Sequence, residues 1–302
     1  MTFDAPDRPR WDTDGHDWPH RTASRFVAAG GLNWHVQEFG EPEAPVLLLL
    51  HGTGAATHSW RGLAPLLGET FRVVAPDLPG HGFTDPLSGT ELSLPGMARA
   101  VAALVATLGL SPVIVAGHSA GAAVLARMCL DGAIDPRLLV AFNGALAPLP
   151  GAANLLFPSM ARLLFLNPFT PRVFAWTADR AAVRRLIEGT GSRLDAHGLD
   201  LYRRLFARAG HVRGALGMMA NWDLDRLHRD LSRLAVRTLL IVGGDDKAIA
   251  PDTAFTLKDR LPDARVALAR GLGHLAHEEA PERVAAILLE EARALGIVSQ
   301  DG

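Results

Sequence analysis

Ser119 stands in the run Gly117-His118-Ser119-Ala120-Gly121, after the apolar residues Val113–Ala116 and before the small-residue stretch Ala122–Met128. Such a pattern predicts a strand that turns sharply into a helix with a serine at the turn. Glycine on both sides suits a turn in which a Cβ would collide with neighbouring backbone. The turn pushes the hydroxyl out at the end of the sheet, where it can act as a nucleophile. A hydroxyl attacks poorly until a base takes its proton, and the base needs an acid to orient it.

Both partners occur downstream. After the apolar run Thr238–Val242 comes Gly243-Gly244-Asp245-Asp246-Lys247, and after Arg265–Leu268 comes Gly271-Leu272-Gly273-His274. His274 is the expected base and Asp246 its orienter. Asp245 is the alternative, because consecutive side chains in an extended turn point apart and one of the two faces the histidine. Asn143, after Leu138–Phe142, occupies a further strand end from which an acid could reach, but it carries no charge. His277, beyond the glycine turn where Glu278 and Glu279 open a helix, reads as a surface residue.

These residues need a scaffold that gathers strand ends. Strand-like runs at Val46–Leu50, Arg72–Ala75, Val113–Ala116, Leu138–Phe142, Thr238–Val242 and Arg265–Leu268 alternate with helix-like stretches. That order predicts an α/β fold, a mostly parallel sheet flanked by helices. An antiparallel hairpin, Phe26–Ala28 with Leu32–Glu38 around Gly30-Gly31, is expected at one edge. Between the fourth and fifth runs the periodicity is helical at Ala161–Phe165, Arg180–Glu188, Asp200–Ala209 and Val212–Asn221. The expected organisation is a core of residues 21–148 and 231–302, a helical cap over 149–230 inserted before the acid-bearing strand, and a flexible tail over 1–20.

Composition narrows the function. Thirty basic and 32 acidic residues leave a net charge of −2, which supplies no broad field for nucleic acid. Arg184-Arg185 and Arg203-Arg204 read as solvated helix faces. The single cysteine, Cys129, excludes an internal disulfide and a multi-cysteine metal site. It reads as packing on the helix after Ser119, and no metal site is expected. The apolar stretch Leu155–Trp176 is broken by three prolines and two arginines, so no integral membrane span is expected. The Pro-, Asp- and Arg-rich start lacks the apolar core of an export signal, which points to the cytoplasm.

The serine turn with Asp and His following in that order resembles the α/β-hydrolases. The resemblance implies that His51-Gly52-Thr53-Gly54 lies beside the serine and that the backbone amides of Thr53 and Ala120 form an oxyanion hole. His51 and His118 then read as braces. Pro76-Asp77-Leu78-Pro79-Gly80-His81-Gly82 resembles the loop that shapes the serine's surroundings in that family, with His81 structural. An aspartate at position 119 would indicate an epoxide hydrolase or haloalkane dehalogenase, and the serine argues against both.

Further pieces narrow the resemblance: Trp18-Pro19, Ser24-Arg25-Phe26-Val27, Trp34-His35-Val36-Gln37, His58-Ser59-Trp60 and Asn221-Trp222-Asp223-Leu224. With these the chain resembles the magnesium-chelatase accessory proteins of bacteriochlorophyll synthesis. One departure is Ala250, where that pattern has a proline before Pro251. The resemblance implies pigment metabolism, with magnesium chelatase as a partner, and leaves peripheral membrane contact open. Two readings follow: a hydrolase cleaving an ester of a large apolar substrate, such as a tetrapyrrole or isoprenoid ester, or a non-catalytic porphyrin-binding accessory protein. C–C bond hydrolysis on the same residues is a third. The hydrolase chemistry needs no cofactor. The cap residues Phe157, Met218, Met219 and Trp222 are expected to line an apolar substrate pocket, together with Met160, Leu163, Phe165, Phe169, Phe174 and Trp176, unless these only pack cap helices on the sheet.

Overall fold

A run of four leucines, Leu47–Leu50, lies at the centre of the sheet and is wholly buried. Leu48 and Leu50 pack into the apolar cluster on one face, with Met97, Val101 and Val124. Leu47 and Leu49 pack into the cluster on the other, with Leu63, Leu67 and Leu288. A strand covered by helices on both faces has no solvent side, so its sequence is continuously apolar rather than alternating.

The computed structural model describes residues 7–148, 164, 167 and 169–299. Eight strands, β1 (Ser24–Ala29), β2 (Leu32–Phe39), β3 (Val46–Leu50), β4 (Arg72–Pro76), β5 (Ile114–His118), β6 (Leu138–Phe142), β7 (Arg237–Gly243) and β8 (Ala264–Ala269), form one sheet in the order β1-β2-β4-β3-β5-β6-β7-β8. β2 runs antiparallel to both its neighbours, and β3 to β8 pair in parallel. Successive parallel strands step to opposite sides of β3, and the crevice between β3 and β5 at their C-terminal ends is where an open α/β sheet builds a site.

After the short helix α1 (Trp11–Asp14), helices α2 (Leu63–Gly68), α3 (Leu94–Thr107) and α4 (Ala120–Leu130) follow β3, β4 and β5. Between β6 and β7 come α5 (Thr170–Thr177), α6 (Arg180–Gly189), α7 (Ala196–Phe206), α8 (Ala209–Ala220) and α9 (Asp225–Asp230). Asp179 and Asp195 start α6 and α7, their carboxylates accepting from the amides of Ala182 and Gly198; this satisfies donors that have no acceptor within the helix. Helices α10 (Asp252–Arg260), α11 (Ala276–Glu279) and α12 (Pro281–Ala294) complete the chain. No helix among the described residues is long and apolar enough to cross a membrane.

The structure departs from the expected loose tail. From Asp7 onward the N-terminal segment is docked: Trp18 is buried and its Nε1 donates to Thr57 Oγ1 at 3.0 Å. Arg8 pairs with Asp85 at 2.8 Å, and Arg208 Nε donates to Asp14 at 3.1 Å. Arg204 is accordingly no solvated face. It bridges Asp17 and Asp200 and ties the segment to α7. Two tryptophans and matched charges supply what composition by Pro, Asp and Arg conceals. Cys129 lies on α4, where burial pushes its thiol up to about 12, away from reactivity.

Candidate active site

One residue separates β5 from α4, and it is Ser119, with φ 50° and ψ −115°. A non-glycine residue in this region costs about 1–3 kcal/mol and persists only where its surroundings enforce it. Here the Ser119 amide donates to Phe142 O at 3.0 Å, and its carbonyl accepts from the amides of Ala122 and Ala145 at 3.2 and 3.0 Å. Both flanking glycines are required by contact: a Cβ on Gly117 would lie 2.4 Å from Ala122 N, and one on Gly121 2.2 Å from Leu50 O. A Cβ on Gly52 would stand 3.2 Å from the Ser119 Cβ. The loop after β3 therefore abuts the serine. Ala120 is the first residue of α4, so its amide is one of the four helix-start donors without an intrahelical acceptor.

Asp246 and His274 meet at the ends of β7 and β8. His274 Nδ1 lies 2.8 Å from Asp246 Oδ2. A carboxylate only accepts, so in the neutral ring Nδ1 carries the proton and Nε2 presents a lone pair. Asp246 is 6% exposed, whereas Asp245 faces solvent. The rest of the carboxylate is saturated: Oδ1 accepts from the amides of Ala248 and Ile249 at 2.7 and 2.9 Å, and Oδ2 also accepts from Asn143 Nδ2 at 2.7 Å. Asn143, in a left-handed conformation at φ 46°, is thus a partner of the acid. Its place at a strand end was visible in the sequence, but its role depends on how far β6 stands from β7.

Histidines brace the loop beside the serine. His51 Nε2 accepts from Leu78 N at 2.8 Å and its Nδ1 donates to Gly52 O at 2.8 Å. His211, from α8, accepts from Gly82 N at 3.1 Å and donates to Gly54 O at 3.0 Å. The carbonyls on both sides of Thr53 are thereby held. His118 Nε2 donates to His274 O at 3.0 Å. Asp77 gathers Thr57 N, Phe83 N and His35 Nδ1 on one carboxylate. Burial opposes its ionisation, but the His35 charge and these bonds hold it well below the usual carboxylate range.

His277 is a correction. It is fully buried, its Nε2 donating to Ser59 Oγ at 2.8 Å and its ring lying 4.5 Å from that of His118. Ser59 Oγ donates in turn to Glu278 at 2.7 Å, so the helix beyond His274 turns inward.

The expected pocket residues divide. Met218 is buried with its Sδ 3.5 Å from Thr53 Oγ1. Met219 is half-buried, and Trp222 packs at the edge of the core cluster that contains Met218. Phe157, Met160, Leu163 and Phe165 lie outside the described residues. Phe169, Phe174 and Trp176 are exposed, Trp176 at 89%. Phe206 reaches the site unforeseen: its ring would lie 3.4 Å from a Cβ on Gly54, and Phe174 packs edge-on against it at 5.8 Å.

The sequence profile of the alpha/beta hydrolase family matches residues 47–287. The chain is 38% identical over 275 residues to the magnesium-chelatase 30 kDa subunit of Rhodobacter capsulatus, covering 91% of this chain and 96% of that protein. It is 29% identical to haloalkane dehalogenase 2 of Mycobacterium tuberculosis strain H37Rv, over 83% of this chain and 88% of the other. Among solved structures, the epoxide hydrolase CorEH superposes with a TM-score of 0.77 at 21% identity, over 90% of this chain and 99% of its own. Profile, relatives and sheet topology agree, and the chain belongs to the α/β-hydrolase family.

Proposed function

We propose that the protein is a serine hydrolase that cleaves an ester of a large apolar substrate, such as a tetrapyrrole or isoprenoid ester. Ser119 Oγ attacks the acyl carbon as His274 Nε2 takes its proton, and the Asp246 carboxylate orients the ring and stabilises its charge. The amides of Thr53 and Ala120 receive the developing oxyanion. His274 then protonates the leaving alcohol, and water on the same base releases the acid from Ser119. The observation that carries this reading is the 2.8 Å bond between His274 and Asp246, on strand ends beside a strained serine. Serine at 119 separates the chemistry from that of dehalogenase and epoxide-hydrolase relatives, whose covalent intermediate needs a carboxylate. The exposed Val173, Phe174 and Trp176 on α5 suit an apolar substrate presented from a membrane surface.

A fluorophosphonate, which mimics the tetrahedral intermediate, is expected to label Ser119 and to leave Ser119→Ala unlabelled. Folded wild-type protein that takes no label rejects the reading and favours an accessory role on magnesium chelatase, for which the 38% identity to a chelatase subunit speaks. Asn143→Gly, which removes the amide donor without straining the left-handed backbone, is expected to lower kcat about 10-fold with KM unchanged, on the scale of a hydrogen bond to a charged group. Equal kcat in that variant would show that Asn143 only fills space.

A further inference from the structure

We infer that the cap segment Thr190–Arg193 is a clamp that positions the acid- and base-bearing loops, so that the cap helps to assemble the Asp246–His274 pair as well as covering it. The inference rests on the hydrolase reading for its kinetic consequence and on geometry for the rest. The segment, between α6 and α7, touches the residue on either side of Asp246 and on either side of His274. Lys247 N donates to Thr190 O at 3.0 Å, and Gly191, at φ +87°, packs so tightly on Asp245 that a Cβ there would lie 2.0 Å from its carbonyl oxygen. A Cβ on Gly273 would stand 2.3 Å from the Gly191 carbonyl carbon and 2.5 Å from Ser192 N. Leu275 N donates to Ser192 Oγ at 2.7 Å, and Ser192 is wholly buried. Glu279 closes the arrangement, accepting from Gly273 N at 2.8 Å and from Arg193 N at 3.1 Å.

A second tie lies one helix on. Tyr202 OH, from α7, donates to Glu278 Oε1 at 2.7 Å, and Arg61 Nη1 donates to Oε2 at 2.7 Å. The two loops leave different strands, and the backbone bond that joins them directly, Asp245 N to Leu272 O at 2.9 Å, lies on the strand side of both Asp246 and His274, so the residues beyond it need a further tie. A buried third segment bonded to both removes their relative freedom, and displacement of a reacting group by about 1 Å can cost 100-fold in rate.

Ser192→Ala removes the acceptor from the Leu275 amide without touching Ser119, Asp246 or His274. Expected is a kcat lower by about 10- to 100-fold on short and long esters alike with KM unchanged, proportionally slower fluorophosphonate labelling, and a shifted or broadened low-field proton resonance from His274 Nδ1. Ser192→Thr, which restores the hydroxyl, should recover most of the rate. Should Ser192→Ala not fold, Glu279→Gln carries the same test with a smaller, same-signed loss. A lower melting temperature with kcat and the proton resonance unchanged overturns the clamp, as does a rise in KM confined to long esters. The resonance answers independently of activity: unlabelled wild-type Ser119 rejects the hydrolase reading, whereas an unaltered resonance in Ser192→Ala rejects the clamp.

Discussion

Asp246→Asn is expected to lower turnover by about 10⁴-fold, as the corresponding change does in other triads, while Asp245→Asn should stay within about twofold of wild type. The surroundings of residue 246 dictate the difference. Two backbone amides, those of Ala248 and Ile249, point at Oδ1 and will fix the carbonyl oxygen of the new amide on that side. Its NH₂ must then face His274 Nδ1 and Asn143 Nδ2, both of which now donate to Oδ2. Donor meets donor, and the imidazole escapes by moving its proton to Nε2, where it can no longer accept from Ser119. Asp245 is exposed and meets its neighbours through its backbone, so an amide there changes little. Steady-state kinetics on both variants decide the matter. Equal losses, or a greater loss at Asp245, would remove Asp246 from the mechanism.

Acid should destabilise the fold steeply between about pH 6.5 and 4. Burial holds the imidazoles of His58, His81, His118 and His277 well below their ordinary value and lowers His211 to about 4. It lowers His51 as well, against the partial opposition of Asp77. These groups are neutral in the folded protein and titrate near the ordinary value of about 6.5 when the chain unfolds. Below that pH the unfolded state binds more protons, so stability falls with pH until the folded-state values are passed. Each histidine contributes a slope of about 1.4 kcal/mol per pH unit in its window, and His211 alone accounts for about 3 kcal/mol. The geometry explains why proton uptake is resisted. Nδ1 of His211 and Nε2 of His51 accept from the amides of Gly82 and Leu78, and a proton on either would set donor against donor there. Urea midpoints measured from pH 7.5 to 4.5 should show the slope, and His211→Gln should reduce it by about one proton's worth. A stability that is flat from pH 7 to 5 would contradict the assignment of these rings as neutral.

Much of the fold was legible because its causes are local. Val46–Leu50 and Leu138–Phe142 are strands over the residues expected, since an uninterrupted apolar run five residues long, closed by His51-Gly52 in one case and Asn143-Gly144 in the other, fits a doubly covered strand. The helix after Ser119 begins two residues before the small-residue run, at Ala120, because the strained turn itself starts the helix. Misreadings cluster where a local signal competes with a distant partner. His277 looked like a surface residue beside two glutamates, yet Ser59, 218 positions away, draws it inside. The tail looked unstructured by composition, yet Trp18 finds Thr57 and Arg204 finds Asp17.

Sequence alone determined the nucleophile candidate and the order of its partners, because a glycine-flanked serine between an apolar strand and a small-residue helix leaves the backbone one way to turn. It also determined the sheet's parallel core, since continuous apolar runs tolerate no solvent face. Tertiary structure alone decided which aspartate meets His274. Adjacent side chains differ only in direction, and direction is set by the Gly191 loop pressing on Asp245 and by the amides waiting for Asp246. The roles of Asn143, Ser192 and His211 are likewise tertiary. Each is a hydrogen bond across 75 or more positions, and pairing at such range leaves no periodicity in the chain for a sequence to display.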